Sequence, residues 1–200
     1  MWVIKIGGSL AASPALPAWL SLIAADRTRR WLVVPGGGPY ADAVRAQQAR
    51  WHFGDPQAHR MAVQAMGVYG AQLAAMAPAF ATDADVRRLA AEAGSGIWCP
   101  GAGAAAGLRG LPEDWRTSAD SIALWAAQIL GARALVLLKS GPPDAADHRA
   151  GALAACGYVD EHFPTLLRHR PLPCYWLSAT QIPTGMPPAT SLDAQRIHPD

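Results

Sequence analysis

Lysine occurs at only two positions in the chain, Lys5 and Lys139; arginine supplies the rest of its 17 basic residues. Arginine serves well for generic surface charge, so a lysine kept in such a background marks a place where a compact, flexible ammonium is wanted. Lys5 lies in Val3-Ile4-Lys5-Ile6, an apolar run that a parallel sheet would bury on both faces. A lysine buried there asks for an anion; the alternative is a strand-end lysine reaching to solvent. Gly7-Gly8-Ser9 follows at once, and Gly36-Gly37-Gly38 follows the next apolar run. Such loops let backbone N–H groups approach a phosphate, and the helix start behind each adds a favourable dipole. Read singly, each is a tight strand-to-helix turn. Together with Lys5 they point to anion chemistry, although the G-x-x-x-x-G-K-[ST] phosphate loop is absent. Asp120 opens a helix that Thr117 or Ser118 would cap, where the helix dipole alone explains an acid. Lys139 ends the apolar strand after that helix and so mirrors Lys5. Two lysines and an aspartate at one sheet edge suit phosphoryl transfer, the cations stabilising the moving group and the carboxylate holding them.

These residues need elements to place them. Trp2 to Ile6 and Trp31 to Val34 read as buried strands, followed by helices over Ala15 to Ala25 and Tyr40 to Arg50. Recurrence of Met61, Ala62, Ala65, Met66, Tyr69 and Leu73 predicts a longer helix over Pro56 to Met76, with Met61, Met66 and Met76 packing in the core. A weaker helix spans Asp83 to Glu92. Gly96 to Cys99 is a third strand, Gly101 to Gly110 a loop, Ala119 to Leu130 a helix, and Ala134 to Leu138 the most apolar strand. A helix near Asp160 to Arg168, a strand over Pro173 to Leu177 and an irregular tail from Thr180 complete the chain. Alternating strands and helices predict an α/β fold with a mainly parallel sheet, whose carboxyl edge would carry both glycine loops.

Composition narrows the function. A net charge of +2 on 200 residues is too small for a dedicated nucleic-acid binder, and 51% hydrophobic residues exclude low-hydrophobicity disorder. Cys99, Cys156 and Cys174 form no C-x-x-C pair, so neither a disulfide framework nor a structural zinc site is expected, and no metal ligands are assigned. With no signal-like start and no apolar run of roughly 18 residues, a cytoplasmic protein without membrane contact is expected.

Three segments carry a resemblance: V-I-K-I-G-G-S-L from Val3, V-V-P-G-G-G-P-Y-A-D from Val33, and T-S-A-D-S-I-A-L from Thr117 with the strand Leu135 to Leu138. In this order they resemble the amino acid kinase superfamily. The resemblance implies a three-layer αβα sandwich over the whole chain, with residues 1–115 carrying the acceptor side and phosphate loops and 116–200 the nucleotide lobe. It implies an ATP-dependent kinase using Mg2+, held mainly by ATP phosphates and water, and a homo-oligomer acting on a small molecule. Lys5 would contact the transferring phosphoryl group, and Gly7, Gly8 and Ser9 would cradle ATP phosphates. Gly36, Gly37 and Gly38 would hold the acceptor side, and Asp120 would organise the lysines. The family's T-D-V-D-G-V-like segment is replaced by Leu138-Lys139-Ser140-Gly141-Pro142-Pro143, and no later lysine follows. The nucleotide lobe is therefore abbreviated, with Lys139 and Ser140 the candidates for its work, unless ATP binding is weakened.

The helix segment Ala58 to Met66, the segment Gly157-Tyr158-Val159-Asp160 and the strand from Pro173 resemble the 5-(aminomethyl)-3-furanmethanol phosphate kinase subfamily. That resemblance implies phosphorylation of a phosphomonoester to a diphosphate in one-carbon (methanofuran-type) cofactor assembly. His59 would then bind acceptor phosphate, with Arg45 or Arg60 helping; a helix-surface histidine without a ligand is the alternative. Three competitors stand beside this reading. They are a carboxylate kinase of the acetylglutamate or aspartate type, a dinucleotide enzyme built on Gly101-Ala102-Gly103, and a non-catalytic nucleotide- or anion-binding homologue.

Overall fold

The computed structural model describes residues 1–91 and 94–200. Strands β1 (Trp2–Ile6), β2 (Trp31–Pro35), β3 (Ala81–Asp83), β4 (Gly96–Trp98), β5 (Leu135–Lys139), β6 (Cys174–Ser178) and β7 (Arg196–Ile197) form one sheet in the order β3-β4-β2-β1-β5-β6-β7. Every pairing is parallel except β6 with β7. Parallel strands require crossovers, and the helices that supply them cover both faces. They are α1 (Leu16–Ala25), α2 (Gly38–Trp51), α3 (Asp55–Met76), α4 (Val86–Ala91), α5 (Ala104–Gly107), α6 (Ala119–Ile129), α7 (Ala150–Ala155) and α8 (Phe163–His169). This is the mainly parallel sheet that the alternating pattern predicts, in the three-layer αβα sandwich that the resemblance implies.

The central strands β1 and β5 explain the two cores. Trp2, Ile4 and Ile6 point to one face with α1, and Val136 and Leu138 join them. Val3 points to the other face, with Leu135, Leu137 and the apolar stripes of α6 and α8. Residues two apart share a face of a strand, so Lys5 and Lys139 both belong to the α6 side. β1 and β5 run in register with Lys5 opposite Leu137, which places Lys139 two residues further toward the carboxyl edge.

Helix α3 reaches over that edge because it carries glycine where it meets β4. A Cβ on Gly67 would lie 2.0 Å from the Pro100 carbonyl oxygen, and one on Gly70 2.9 Å from that of Trp98. The close approach brings the amino-terminal half of α3, with His59, across the ends of the strands.

Several boundaries differ from the sequence reading. Ala81–Asp83 is a short edge strand rather than the start of a helix; α4 begins at Val86, and its expected end at Glu92 lies outside the described residues. Ala150–Ala155 is an additional helix, and the tail contains β7. Met66 is buried as expected, but Met76 at the end of α3 is exposed, because the helix there has run past the sheet. The Gly101-Ala102-Gly103 loop leads only into the four-residue α5, too short to offer a dinucleotide the helix N-terminus that fold uses. Among the described residues no helix is long and apolar enough to cross a membrane.

Candidate active site

The floor of the site is an ion cluster made by the face alternation of two strands and the first turn of one helix. Ser118 caps α6 by accepting the Asp120 backbone N–H at 3.3 Å, which sets Asp120 facing the sheet. Lys5 Nζ lies 2.9 Å from Asp120 Oδ1, and Lys139 Nζ donates to Asp120 Oδ2 at 2.6 Å. Lys139 also donates to the Tyr158 carbonyl oxygen at 2.6 Å, with the Tyr158 ring centroid 5.3 Å away. Burial alone would raise the Asp120 carboxyl, but Lys139 and then Lys5 outweigh it and hold it down to about 2. Burial lowers Lys139 below the ordinary lysine range, against the pull of Asp120. Two ammoniums sharing one carboxylate leave the cluster with one net positive charge, pre-placed for an anion.

Above the floor lies a cavity of about 280 Å³ lined by Lys5, both glycine loops, the amino-terminal half of α3 and the segment before α6. The glycine loops touch through backbone. A Cβ on Gly8 would sit 2.5 Å from Gly38 N, and one on Gly36 2.5 Å from Gly8 N; Gly38 itself has φ +55°. Gly8 and Gly38 each begin a helical turn, where the first amides lack intrahelical acceptors, and both residues line the cavity. Gly8→Ala would force these backbones apart. We expect it to lower stability by about 1–3 kcal/mol, a usual overpacking cost, and to lower turnover further than that loss of folded protein explains. Chemical denaturation with kinetics at matched folded fraction checks this.

The other wall carries His59, 3% exposed, with neither ring nitrogen hydrogen-bonded, and Thr117, 2% exposed, whose hydroxyl also lacks a partner. Burial lowers the His59 pKa, so the ring is neutral at pH 7. Buried polar atoms are ordinarily satisfied, and three unpaired ones on two residues lining one cavity mark where a ligand would bond. At the rim the Arg45 guanidinium lies 4.3 Å from the Trp115 ring centroid, and Trp115 Nε1 donates to Gln48 at 2.6 Å.

Lys5, Gly8, Ser9, Gly36, Gly37, Gly38, His59 and Arg45 thus converge on one cavity, and Lys5 joins it through Asp120 to Lys139, which both lie behind the lining. Three expected members stand apart. The Gly7 N–H is spent on the Leu138 carbonyl at 3.0 Å, Ser140 is exposed beyond β5, and Arg60 points outward to Glu113 at 2.6 Å. Trp115 and Thr117 also line the cavity, which the sequence alone does not indicate. Their only signal is a place just ahead of a capped helix at the carboxyl edge. No group of three His, Cys, Asp or Glu side chains is placed to hold a metal among the described residues.

The amino acid kinase family model matches residues 1–142. The chain is 25% identical over 188 residues to the [5-(aminomethyl)furan-3-yl]methyl phosphate kinase of Methanocaldococcus jannaschii, covering 88% of this chain and 86% of that one. The UMP kinase of Ureaplasma parvum superposes with a TM-score of 0.67 at 14% identity, over 90% of both chains. The uridylate kinase of Archaeoglobus fulgidus superposes at 0.66, again at 14% identity, over 88% of this chain and 90% of that one.

Proposed function

Because the chain belongs to the amino acid kinase family and is a kinase, we propose that it transfers the γ-phosphoryl group of ATP to a phosphate oxygen of a small phosphomonoester, giving a diphosphate. The observation that carries this reading is the Lys5–Asp120–Lys139 cluster beside a cavity walled by two glycine loops at helix starts and an unpaired histidine. The similarity to a furanylmethyl phosphate kinase supports an acceptor of that class and a role in one-carbon cofactor assembly.

When bound, ATP would supply the phosphoryl group and magnesium would offset the charge of its phosphates. The residues fit a metal that arrives with the nucleotide: the one acid at the floor, Asp120, has both oxygens on lysines. Lys5 and Lys139 would stabilise the charge spread over the transferring group, while Asp120 fixes their ammoniums so that nothing reorganises during transfer. Amides of the Gly8 and Gly38 turns would hold phosphate oxygens. An ionised acceptor phosphate is already a nucleophile, so no general base is required. His59 and Thr117 would hydrogen-bond the acceptor. The expected self-association has a candidate face in Tyr40, Val68 and Met76, exposed apolar residues of α2 and α3, which sedimentation would report.

The test is an ADP-release assay with a panel of acceptors: the furanylmethyl phosphate, other small phosphomonoesters, UMP, N-acetylglutamate and aspartate. Release of one ADP per diphosphate formed, with a phosphomonoester preferred, is expected. Preference for a carboxylate, or nucleotide binding without turnover, would reject the reading. His59→Ala should raise the acceptor KM about tenfold, the usual effect of losing a buried hydrogen bond, and leave the ATP KM unchanged. Steady-state kinetics with each substrate varied in turn measures both.

A further inference from the structure

The Gly157-Tyr158-Val159-Asp160 segment lies outside the acceptor cavity, yet it touches both halves of the ion cluster. Tyr158 accepts Lys139 Nζ on its carbonyl, and its hydroxyl donates to the Gly141 carbonyl at 2.9 Å, tying down the loop after β5. Two residues on, the Asp160 carboxylate takes hold of the turn that carries Asp120. Oδ2 accepts the Ser118 backbone N–H at 2.9 Å, the Ser118 hydroxyl at 2.8 Å and the Ser121 backbone N–H at 2.9 Å. Oδ1 accepts the Ser121 hydroxyl at 2.5 Å, with the amides of His162 and Phe163 at 3.2 and 3.1 Å. One carboxylate thus joins the starts of α6 and α8, and the residues it grips flank Asp120 on both sides.

We propose that Asp160 is a positioning residue for phosphoryl transfer, locking the first turn of α6 so that Asp120 stays between the two lysines while the same segment holds Lys139. The proposal rests on the kinase reading above for its catalytic half and on geometry alone for its structural half. Asp160 also adds a second negative charge near Lys139. The groups acting on that ammonium are then Asp120 from α6 and Asp160, which favour its charge, and Lys5 from β1, which opposes it. The Tyr158 carbonyl and ring face it as well. Asp160 itself is pushed up, first by burial and then by Asp120, against the serine hydrogen bonds that favour its ionised form.

The scarcity of lysine makes a direct test possible, since protein labelled with 15N-lysine gives only two Nζ signals, each assignable by substituting the other lysine. In Asp160→Asn the Lys139 Nζ titration midpoint should move to lower pH by about half a unit or more, as loss of a nearby opposite charge requires. The same variant should lose about tenfold or more in kcat, the scale set by misplaced electrostatic groups, with both KM values within about threefold of wild type. Ser121→Ala keeps the carboxylate and removes one grip; it should lower kcat with the Lys139 midpoint unmoved, and it decides the matter if Asp160→Asn does not fold. A folded Asp160→Asn enzyme with wild-type kcat and an unmoved midpoint would overturn the proposal, as would full kcat in Ser121→Ala. Absence of phosphoryl transfer in the wild-type chain would instead reject the kinase reading, and the Nζ shift would still report on Asp160.

Discussion

Asp120→Asn is expected to reduce kcat by about 10²–10³, the range seen when one preorganised charge-stabilising group is removed. Both carboxylate oxygens are occupied by ammoniums, at 2.9 Å from Lys5 and 2.6 Å from Lys139, and the lysine side chains are only 8% and 15% exposed. Asparagine keeps the shape but replaces one acceptor oxygen with a donor amide, which must face a cation. Two buried ammoniums then share no counter-charge at the floor. Breaking a buried pair by removing one partner commonly costs about 3–5 kcal/mol, so folding stability should fall by that order as well. The pH profile separates this from a simple folding defect. Burial already lowers Lys139 and Asp120 opposes the shift, so removing Asp120 lowers it further, and the alkaline fall in kcat must move to lower pH. The competing explanation, an acid placed only to satisfy a helix dipole, predicts at most about 1 kcal/mol of stability and unchanged chemistry. Denaturant titration together with kcat against pH decides between them; an Asp120→Asn enzyme within tenfold of wild type would leave only the dipole role.

What the chain makes legible follows from where burial leaves residues no choice. Lys5 could be read because a lysine inside an apolar parallel strand needs an anion, and the structure supplies one. Lys139 follows from the same two-residue alternation, given that β1 and β5 pair in parallel. The register itself, and the distance of Asp120 from each lysine, come from packing of α6 on the sheet and have no local signature. Thr117 and Trp115 escape because they sit in a segment without periodicity, where nothing in the residue order tells which side chains turn inward. Gly7 is the reverse case: its type suits a phosphate cradle, but its amide continues the ladder to Leu138, a fact visible only once the neighbouring strand is known. The short edge strand Ala81–Asp83 is mostly exposed and too brief for a period-two pattern, so its sequence reads equally well as the approach to α4. The grip of Asp160 on α6 has no local signal, because Ser121 and Ser118 lie 39 and 42 residues upstream.

Lys139→Met should lower kcat by about 10²–10³ as well, the cost of one missing cation opposite a developing charge, but with most of the fold retained. Methionine fills nearly the same volume, and Asp120 keeps Lys5 as its partner, so no carboxylate is stranded. Lys139→Arg should recover little. Two acceptors, Asp120 Oδ2 and the Tyr158 carbonyl, converge on one nitrogen at 2.6 Å each, a geometry made for a point-like ammonium and not for a planar fork. The split between constants carries the mechanism. A loss confined to the ATP KM would make Lys139 a ground-state binding group, whereas a loss in kcat with KM preserved means the charge acts on the transferring phosphoryl group. The second outcome is expected because Lys139 ends β5 beside β1 and faces the same carboxylate as Lys5. A second cation carried on a later helix would depend on how that lobe closes. Here the sheet register fixes the spacing of the two ammoniums before any substrate arrives, with no movement of another element required.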